Sequence, residues 1–414
     1  MSSVDQFLIT LAAILALGSL GGYVFSRLSI PDAIWLIGAG VVLGPVLGFL
    51  QRDTLVAIAP FFGALTIIVV LFEGGSRLQL VGVLASTPRA AVIALIGFVL
   101  STLAATLTVL AGVAVGVLPA GWTWQYAVLI GLTLGGSSSV VVMPAVLQAR
   151  LPARVSNLVS LESALTDILC VVGATSMVAI MAATEPSAQG PAAEIAMTFA
   201  VGVVAGLVAG LASVPFARFV RPSAYAYPLL LAALLALYVV VDVERGSAPL
   251  AVLVFALMLG NLGLRVPSDG AHLVGSLDDA TRSVHSQVTF VVKAFFFTFI
   301  GAMLGQPSPQ LAFGVVLGLV LVGARLVAMR GALLGSALSR PERRVVGVLG
   351  PRGLAAGVLA TFPLAAGLPD ADSIPVVVYG AVVTTILAFA VALPAVRPRP
   401  EPEAPAEPAA ADVA

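Results

Sequence analysis

The stretch Leu161-Glu162-Ser163-Ala164-Leu165-Thr166-Asp167 lies inside an apolar run from about residue 156 to 182. A run of that length crosses ~30 Å of hydrocarbon as a single helix. An ionisable side chain in such a helix costs about 3 kcal/mol on insertion scales, so two carboxylates within one turn and a half mark a working site. On a helix, Glu162 stacks with Thr166 and Ser163 with Asp167, four residues apart in each case. The four oxygen-bearing side chains form one polar cluster. Counted from Ser156, Asp167 lies ~16 Å deep, near mid-membrane. Carboxylate and hydroxyl oxygens suit a hard monovalent cation, and the same carboxylate holds a proton. A site that takes one or the other, but not both, is the minimum for exchange.

The rest of the chain fits a membrane setting. Of its 414 residues, 60% are hydrophobic and 10% charged, with a mean hydropathy of +1.11; soluble domains carry ~25% charged residues. The net charge is zero, which argues against a nucleic-acid partner and leaves lipid as the main one. The single cysteine, Cys170, excludes an internal disulfide. The first apolar run, Gln6 to Val24, lacks a basic leader and is preceded by Asp5, so it reads as a membrane helix rather than a signal peptide. Lys293 is the one lysine among 20 basic residues, a bias that suggests a GC-rich genome and a bacterial inner membrane.

Thirteen apolar segments of helical length can be drawn, at about 6–25, 32–50, 55–73, 89–118, 125–148, 156–182, 193–215, 225–241, 249–264, 288–304, 310–330, 345–366 and 374–396. Basic residues test this count. Arg27, Arg77 with Arg89, Arg150 with Arg154, Arg218 with Arg221, Arg265 with Arg282, Arg340 with Arg343 and Arg344, and Arg397 with Arg399 all follow odd-numbered segments; Arg52 and Arg245 do not. By the positive-inside rule those loops are cytoplasmic, which puts the N-terminus outside and the C-terminus inside. An all-α fold of two inverted six-helix halves follows, about 6–182 and 225–396, joined by a linker helix at about 193–215. The transmembrane antiporter domain thus spans 1–396, and the Pro-, Ala- and Glu-rich residues 397–414 read as a disordered cytoplasmic tail.

The fifth segment contains Gly135-Gly136-Ser137-Ser138-Ser139 with Pro144 beyond, and the twelfth contains Gly350-Pro351-Arg352-Gly353 and Thr361-Phe362-Pro363. Both are expected to be discontinuous, with freed carbonyls and serine hydroxyls facing a cavity. From Gln125, Ser138 lies ~20 Å deep, level with Asp167. Arg325, Arg352 and Glu73 are the other ionisable candidates. Arg352 is expected to pair internally with Glu162 or Glu73. Lys293 reads as a snorkelling anchor at the start of the tenth segment. His272, His285, Asp278 and Asp279 fall between segments and read as solvated loop residues, with sensing of internal pH as the alternative.

Three of these motifs, Phe72-Glu73-Gly74-Gly75, Glu162-Ser163 with Thr166-Asp167, and Gly350-Pro351-Arg352-Gly353, resemble the sodium/proton exchanger superfamily in its NhaP-like monovalent cation/proton antiporter branch, as does Ile30-Pro31 through Gly44-Pro45. The resemblance implies a thirteen-helix fold, a homodimer and an elevator-like movement of a core domain. It implies that Asp167 carries the exchanged ion, with Glu162 and Ser163 at the ion site and Arg352 and Arg325 as the internal arginines. Two positions depart from the branch: Thr166 stands where asparagine is usual, and Ser137-Ser138-Ser139 where Thr-Asp-Pro is usual. The site therefore has one carboxylate fewer.

The expectation is a secondary antiporter, not an enzyme, exchanging Na⁺ or K⁺ for H⁺ with no cofactor. The cation ligands would be Asp167, Ser163 and Glu162, completed by Thr166, Ser137 and Ser138. Glu162 paired with an arginine leaves one aspartate trading one cation for one proton, an electroneutral exchange. A cation channel or a cation-coupled solute symporter is the alternative; small, clustered polar residues suit a bare ion better than an organic solute.

Overall fold

The computed structural model describes residues 3–28, 31–77, 88–148, 151–182, 191–219, 225–261, 279–305, 307–336 and 338–396. The 397–414 tail, His272 and Asp278 lie outside them, as does the side chain of Asp279.

Among the described residues the regular structure is entirely helical. The elements are α1 (Ser3–Leu28), α2 (Asp32–Val41, continued by a π-helical turn Val42–Val46), α3 (Arg52–Arg77), α4 (Pro88–Ala114), α5 (Trp124–Thr133), α6 (Ser139–Gln148), α7 (Ala153–Ala182), α8 (Pro191–Phe219), α9 (Ala226–Val243), α10 (Ala248–Asn261), α11 (Asp279–Met303), α12 (Pro309–Ala332), α13 (Arg340–Val348), α14 (Leu354–Leu359), α15 (Phe362–Ala365) and α16 (Ser373–Val396). Eight of the described helices are long and apolar enough to cross a membrane. Helical residues fall within each of the thirteen apolar segments.

Local chemistry explains where helices stop. α5 ends at Thr133 before Gly135-Gly136, and α6 starts at Ser139, so the fifth segment is broken in its middle. Paired glycines favour this because they cost the helix about 1 kcal/mol each relative to alanine. α13 ends at Val348 and α14 begins at Leu354. Pro351 between them has no N–H and pushes Gly350 away from helical backbone angles. Pro363 sits in the first turn of α15, where its missing donor costs nothing.

The helices pack as two groups. In one, α12 lies along α16 and α4, α4 along α5 and α7, and α5 along α7. In the other, α10 lies along α8 and α3, α11 along α2 and α3, and α1 along α2. The α2–α11 contact is backbone to backbone: a Cβ on Gly301 would meet the carbonyl of Ile37 and come within 3.0 Å of the Gly40 Cα. Small residues give membrane helices this close approach, since apolar surface alone does not drive them together in lipid. The seam between the groups is largely apolar, with Phe299 edge-on to Tyr379 and α14 against α3 and α7.

The start of α11 departs furthest from the sequence expectation. α11 begins at Asp279, about nine residues before the tenth apolar segment, because its first turns are polar on the surface but helical in backbone. His285 and Lys293 are therefore inside a helix. Lys293 does not snorkel to water; its Nζ lies 2.5 Å from Asp32 Oδ2 on α2, and both side chains are mostly buried.

Candidate functional site

The two broken segments meet. The amide of Ser138, just before α6, donates to the carbonyl of Pro351 at 2.9 Å. Ser138 also lies so close to Gly353 that a Cβ there would collide with its side chain. Each break leaves helix-end carbonyls without intrahelical partners. An arginine serves each.

Arg352, 2% exposed, donates from Nη1 to the carbonyls of Gly135 and Gly136 at the end of α5. Its Nη2 donates to Ser101 Oγ on α4 at 2.8 Å. Its backbone amide donates to Thr385 Oγ1 on α16 at 3.0 Å. Arg325 on α12, 4% exposed, donates from Nη2 to the carbonyls of Val346 at 3.1 Å and Leu349 at 2.9 Å, where α13 ends. The same guanidinium holds Glu162 on α7: Nη2 donates to Oε2 at 2.8 Å and Nη1 to Oε1. A planar, two-pronged donor matches both a carboxylate and a pair of freed carbonyls, which an ammonium cannot do.

This corrects the pairing expected from sequence. Arg352 pairs with neither Glu162 nor Glu73; its partners are carbonyls and Ser101. Arg325 takes both oxygens of Glu162. Glu73 lies on α3 against His285 of α11, with 3.0 Å between Oε2 and Nε2. These partners were hidden because sequence spacing carries no information on which side of a break a long side chain turns.

Ser137, Ser138, Ser163, Thr166 and Asp167 are brought together at the α5–α6 break against α7. Ser137 Oγ and Ser163 Oγ share a hydrogen bond of 3.0 Å. The Ser137 amide donates to Thr166 Oγ1 at 3.2 Å, and Thr166 Oγ1 donates to the Ser163 carbonyl at 3.1 Å. Cys170 accepts from the Gly136 amide at 3.0 Å. All five of Ser137, Ser138, Ser163, Thr166 and Cys170 are buried, whereas Asp167 is half-buried. Asp167 Oδ2 accepts from Ser139 Oγ at 2.8 Å. Ser139 is the residue that sequence reasoning named only within its motif; its place as the first residue of α6, turned towards α7, was the missing signal. No group of three or more His, Cys, Asp or Glu side chains placed to hold a metal ion occurs among the described residues, so any cation here would rest on Asp167 with hydroxyls and carbonyls.

A cavity of about 590 Å³ lies on the seam between the helix groups. Thr175 and Ser176 of α7 line it, with Asp242, Arg245 and Ser247 from the end of α9 and the turn into α10. Thr175 is eight residues beyond Asp167 on the same helix, ~12 Å along its axis.

Comparison with known proteins agrees with this architecture. Residues 12–395 match the family described as sodium/hydrogen exchanger, transmembrane. The chain is 24% identical over 377 residues to the K(+)/H(+) antiporter NhaP2 of Shewanella sp. (strain ANA-3), covering 89% of this chain and 62% of that protein; it thus spans about three fifths of the length of that relative. It is 24% identical over 375 residues to Na(+)/H(+) antiporter 1 of Methanocaldococcus jannaschii, covering 87% of this chain and 84% of that one. The solved structure of the sodium proton antiporter MjNhaP1 from M. jannaschii at pH 8 superimposes with a TM-score of 0.75 at 19% identity, over 95% of this chain and all of that one. This chain is a multi-pass membrane protein and belongs to the sodium/hydrogen exchanger family, in its NhaP-like branch.

Proposed function

We propose that the chain is a secondary antiporter that exchanges a monovalent cation, Na⁺ or K⁺, for H⁺ at Asp167 by alternating access. The observation that carries this reading is the contrast between the two carboxylates of α7. Glu162 is paired at both oxygens with Arg325, whereas Asp167 is half-buried and held, among the described residues, only by the hydroxyl and backbone amide of Ser139. A partly buried carboxylate at a break rich in hydroxyls and carbonyls can bind a bare cation or a proton in turn. Single occupancy by one positive charge makes the exchange electroneutral. The names of the relatives, K⁺/H⁺ in one and Na⁺/H⁺ in another, support the cation class and leave both ions in play.

The proposal extends to the frame: thirteen crossings in two inverted halves, a homodimer in a bacterial inner membrane, and a cytoplasmic C-terminus. The meeting of the fifth and twelfth segments at their breaks supports the repeat.

The test uses purified protein in proteoliposomes with a pH dye inside. Pulses of Na⁺, K⁺ and Li⁺ are expected to move protons for at least one ion, without response to imposed voltage, and Asp167→Asn is expected to abolish the signal. Proton movement that persists in Asp167→Asn overturns the site. Cation flux without proton movement identifies a channel instead.

A further inference from the structure

The turn from α9 into α10, and the cavity it borders, are not used by exchange at Asp167. α10 begins at Ala248, and its start is buried: Ser247 is 6% exposed, Ala248 1% and Leu250 7%. The first amides of a helix have no acceptor within it. Pro249 has no amide hydrogen, and the Ala251 amide donates to the Ser247 carbonyl at 3.0 Å. The amides of Ala248 and Leu250 meet no acceptor among the described residues. Ser247 does not cap them. Its Oγ is buried without a hydrogen-bond partner, while its own amide donates to the Thr198 carbonyl on α8 at 3.0 Å.

Ser247, Ala248 and Pro249 line the cavity of about 590 Å³, together with Arg245. Arg245 has a φ of 56°, in the left-handed region that a residue with a Cβ enters at a cost and glycine enters freely. Its side chain is exposed and makes no ion pair among the described residues. One end of the cavity thus gathers a free hydroxyl, the positive end of a helix and a guanidinium. The α7 wall has the opposite polarity. Thr175 Oγ1 and Ser176 Oγ already give their hydrogens to the carbonyls of Val171 at 2.7 Å and Val172 at 2.6 Å, so they have only lone pairs left to offer.

Asp242 also lines the cavity and opposes a negative ligand; Glu244 is exposed and does not line it. Asp242 and Arg245 offset each other in charge. The balance is then set by the neutral donors at the start of α10 and by its dipole, which favour an anion. A hydrogen bond to a charged acceptor is roughly twice as strong as one to water. With about 30 Å³ per water, the cavity takes an ion together with its hydration.

We propose that Ser247 and the start of α10, with Arg245, form a binding site for a small monovalent anion of the chloride type. The cavity has walls from both helix groups, α7 on one side and α8 to α10 on the other. An anion held there stabilises the arrangement in which the cavity is open and so slows exchange. The braking rests on the exchange reading; the anion site does not.

Chloride NMR of the purified protein in nanodiscs of zwitterionic lipid tests the site, since bound ³⁵Cl⁻ broadens the line of the free ion. Titration of chloride into gluconate buffer is expected to give saturable broadening. Arg245→Gly, which suits the left-handed backbone, is expected to weaken apparent affinity about tenfold, and Ser247→Ala about threefold. Arg344→Ala, on the exposed face of α13, is expected to leave it unchanged. Broadening that never saturates, or curves identical in wild type, Arg245→Gly and Ser247→Ala, overturns the site and leaves the cavity to water alone. Unfolding temperatures in gluconate check that the variants fold, and Ser247→Ala, the loss of one oxygen, decides if Arg245→Gly does not. In proteoliposomes, replacing chloride by gluconate on both sides is expected to raise cation-driven proton movement about twofold in wild type and not in Arg245→Gly. An unchanged wild-type rate overturns the braking. Absence of exchange under every condition overturns the exchange reading and the braking with it, and the chloride titration still decides the anion site.

Discussion

Arg325 binds Glu162 and the end of α13 with one guanidinium: the Nη2 that donates to Glu162 Oε2 at 2.8 Å also donates to the Leu349 carbonyl at 2.9 Å. One side chain thus ties α7, α12 and α13. Removing one partner leaves a buried charge without its counterpart, a loss of about 3–5 kcal/mol. Glu162→Gln and Arg325→Met are each expected to lower the unfolding temperature in detergent sharply. The double variant is expected to recover part of the loss, which a double-mutant cycle on thermal unfolding measures.

Ser139 is the hydroxyl that touches Asp167. A hydrogen bond to a charged group contributes about 1.5–3 kcal/mol, so Ser139→Ala is expected to weaken apparent cation affinity by about tenfold or more. Ser160→Ala, whose hydroxyl meets Met143 instead, is expected to leave it unchanged. Concentration curves of cation-driven dye dequenching compare the two.

Arg352→Lys retains the charge and loses the fork. A single ammonium cannot serve Gly135, Gly136 and Ser101 together, so at least one buried acceptor loses its donor, at about 1–3 kcal/mol. The expected result is a fall in thermal stability together with a fall in exchange rate, read from the same preparation.

Arg154 and Glu342 clamp the start of α7 to α13, with Nε and Nη2 of Arg154 donating to the two carboxylate oxygens at 2.7 Å each. Burial alone would push the Glu342 carboxyl up; hydrogen bonds from Ser339 and Arg154 outweigh it and hold the group below the usual carboxylate range. A depressed folded value means the stabilisation is complete above the ordinary glutamate value of about 4.3 and is lost as pH falls through the lower folded value. Unfolding temperatures of wild type and Glu342→Gln are therefore expected to differ at neutral pH and to converge in acid.

The helical content and the polar cluster were legible in the letters. Apolar length marks helices directly, and the i, i+4 spacing of Glu162 with Thr166 and Ser163 with Asp167 holds in any helix. The breaks were legible too, because glycine pairs and proline act on their own backbone. Partner choice was not. Arg352, Glu73 and His285 each met a group more than 200 residues away, and nothing local distinguishes a carboxylate from a freed carbonyl as the target of a guanidinium. His285 was read as solvated because its helix begins with polar residues, a pattern that hydropathy cannot tell from a loop.

An interrupted helix is ordinarily an elastic element. The two interruptions here are stapled by the guanidinium groups of Arg352 and Arg325 and by the Ser138–Pro351 backbone bond. The part of the molecule that holds Asp167 is consequently stiff where its backbone is least regular. Compliance is left to the apolar seam around Phe299, Tyr379 and Gly357, surfaces that can slide with few polar bonds to break. Any displacement that turns Asp167 from one water compartment to the other would be a slip along that seam, with the joint itself carried across unchanged.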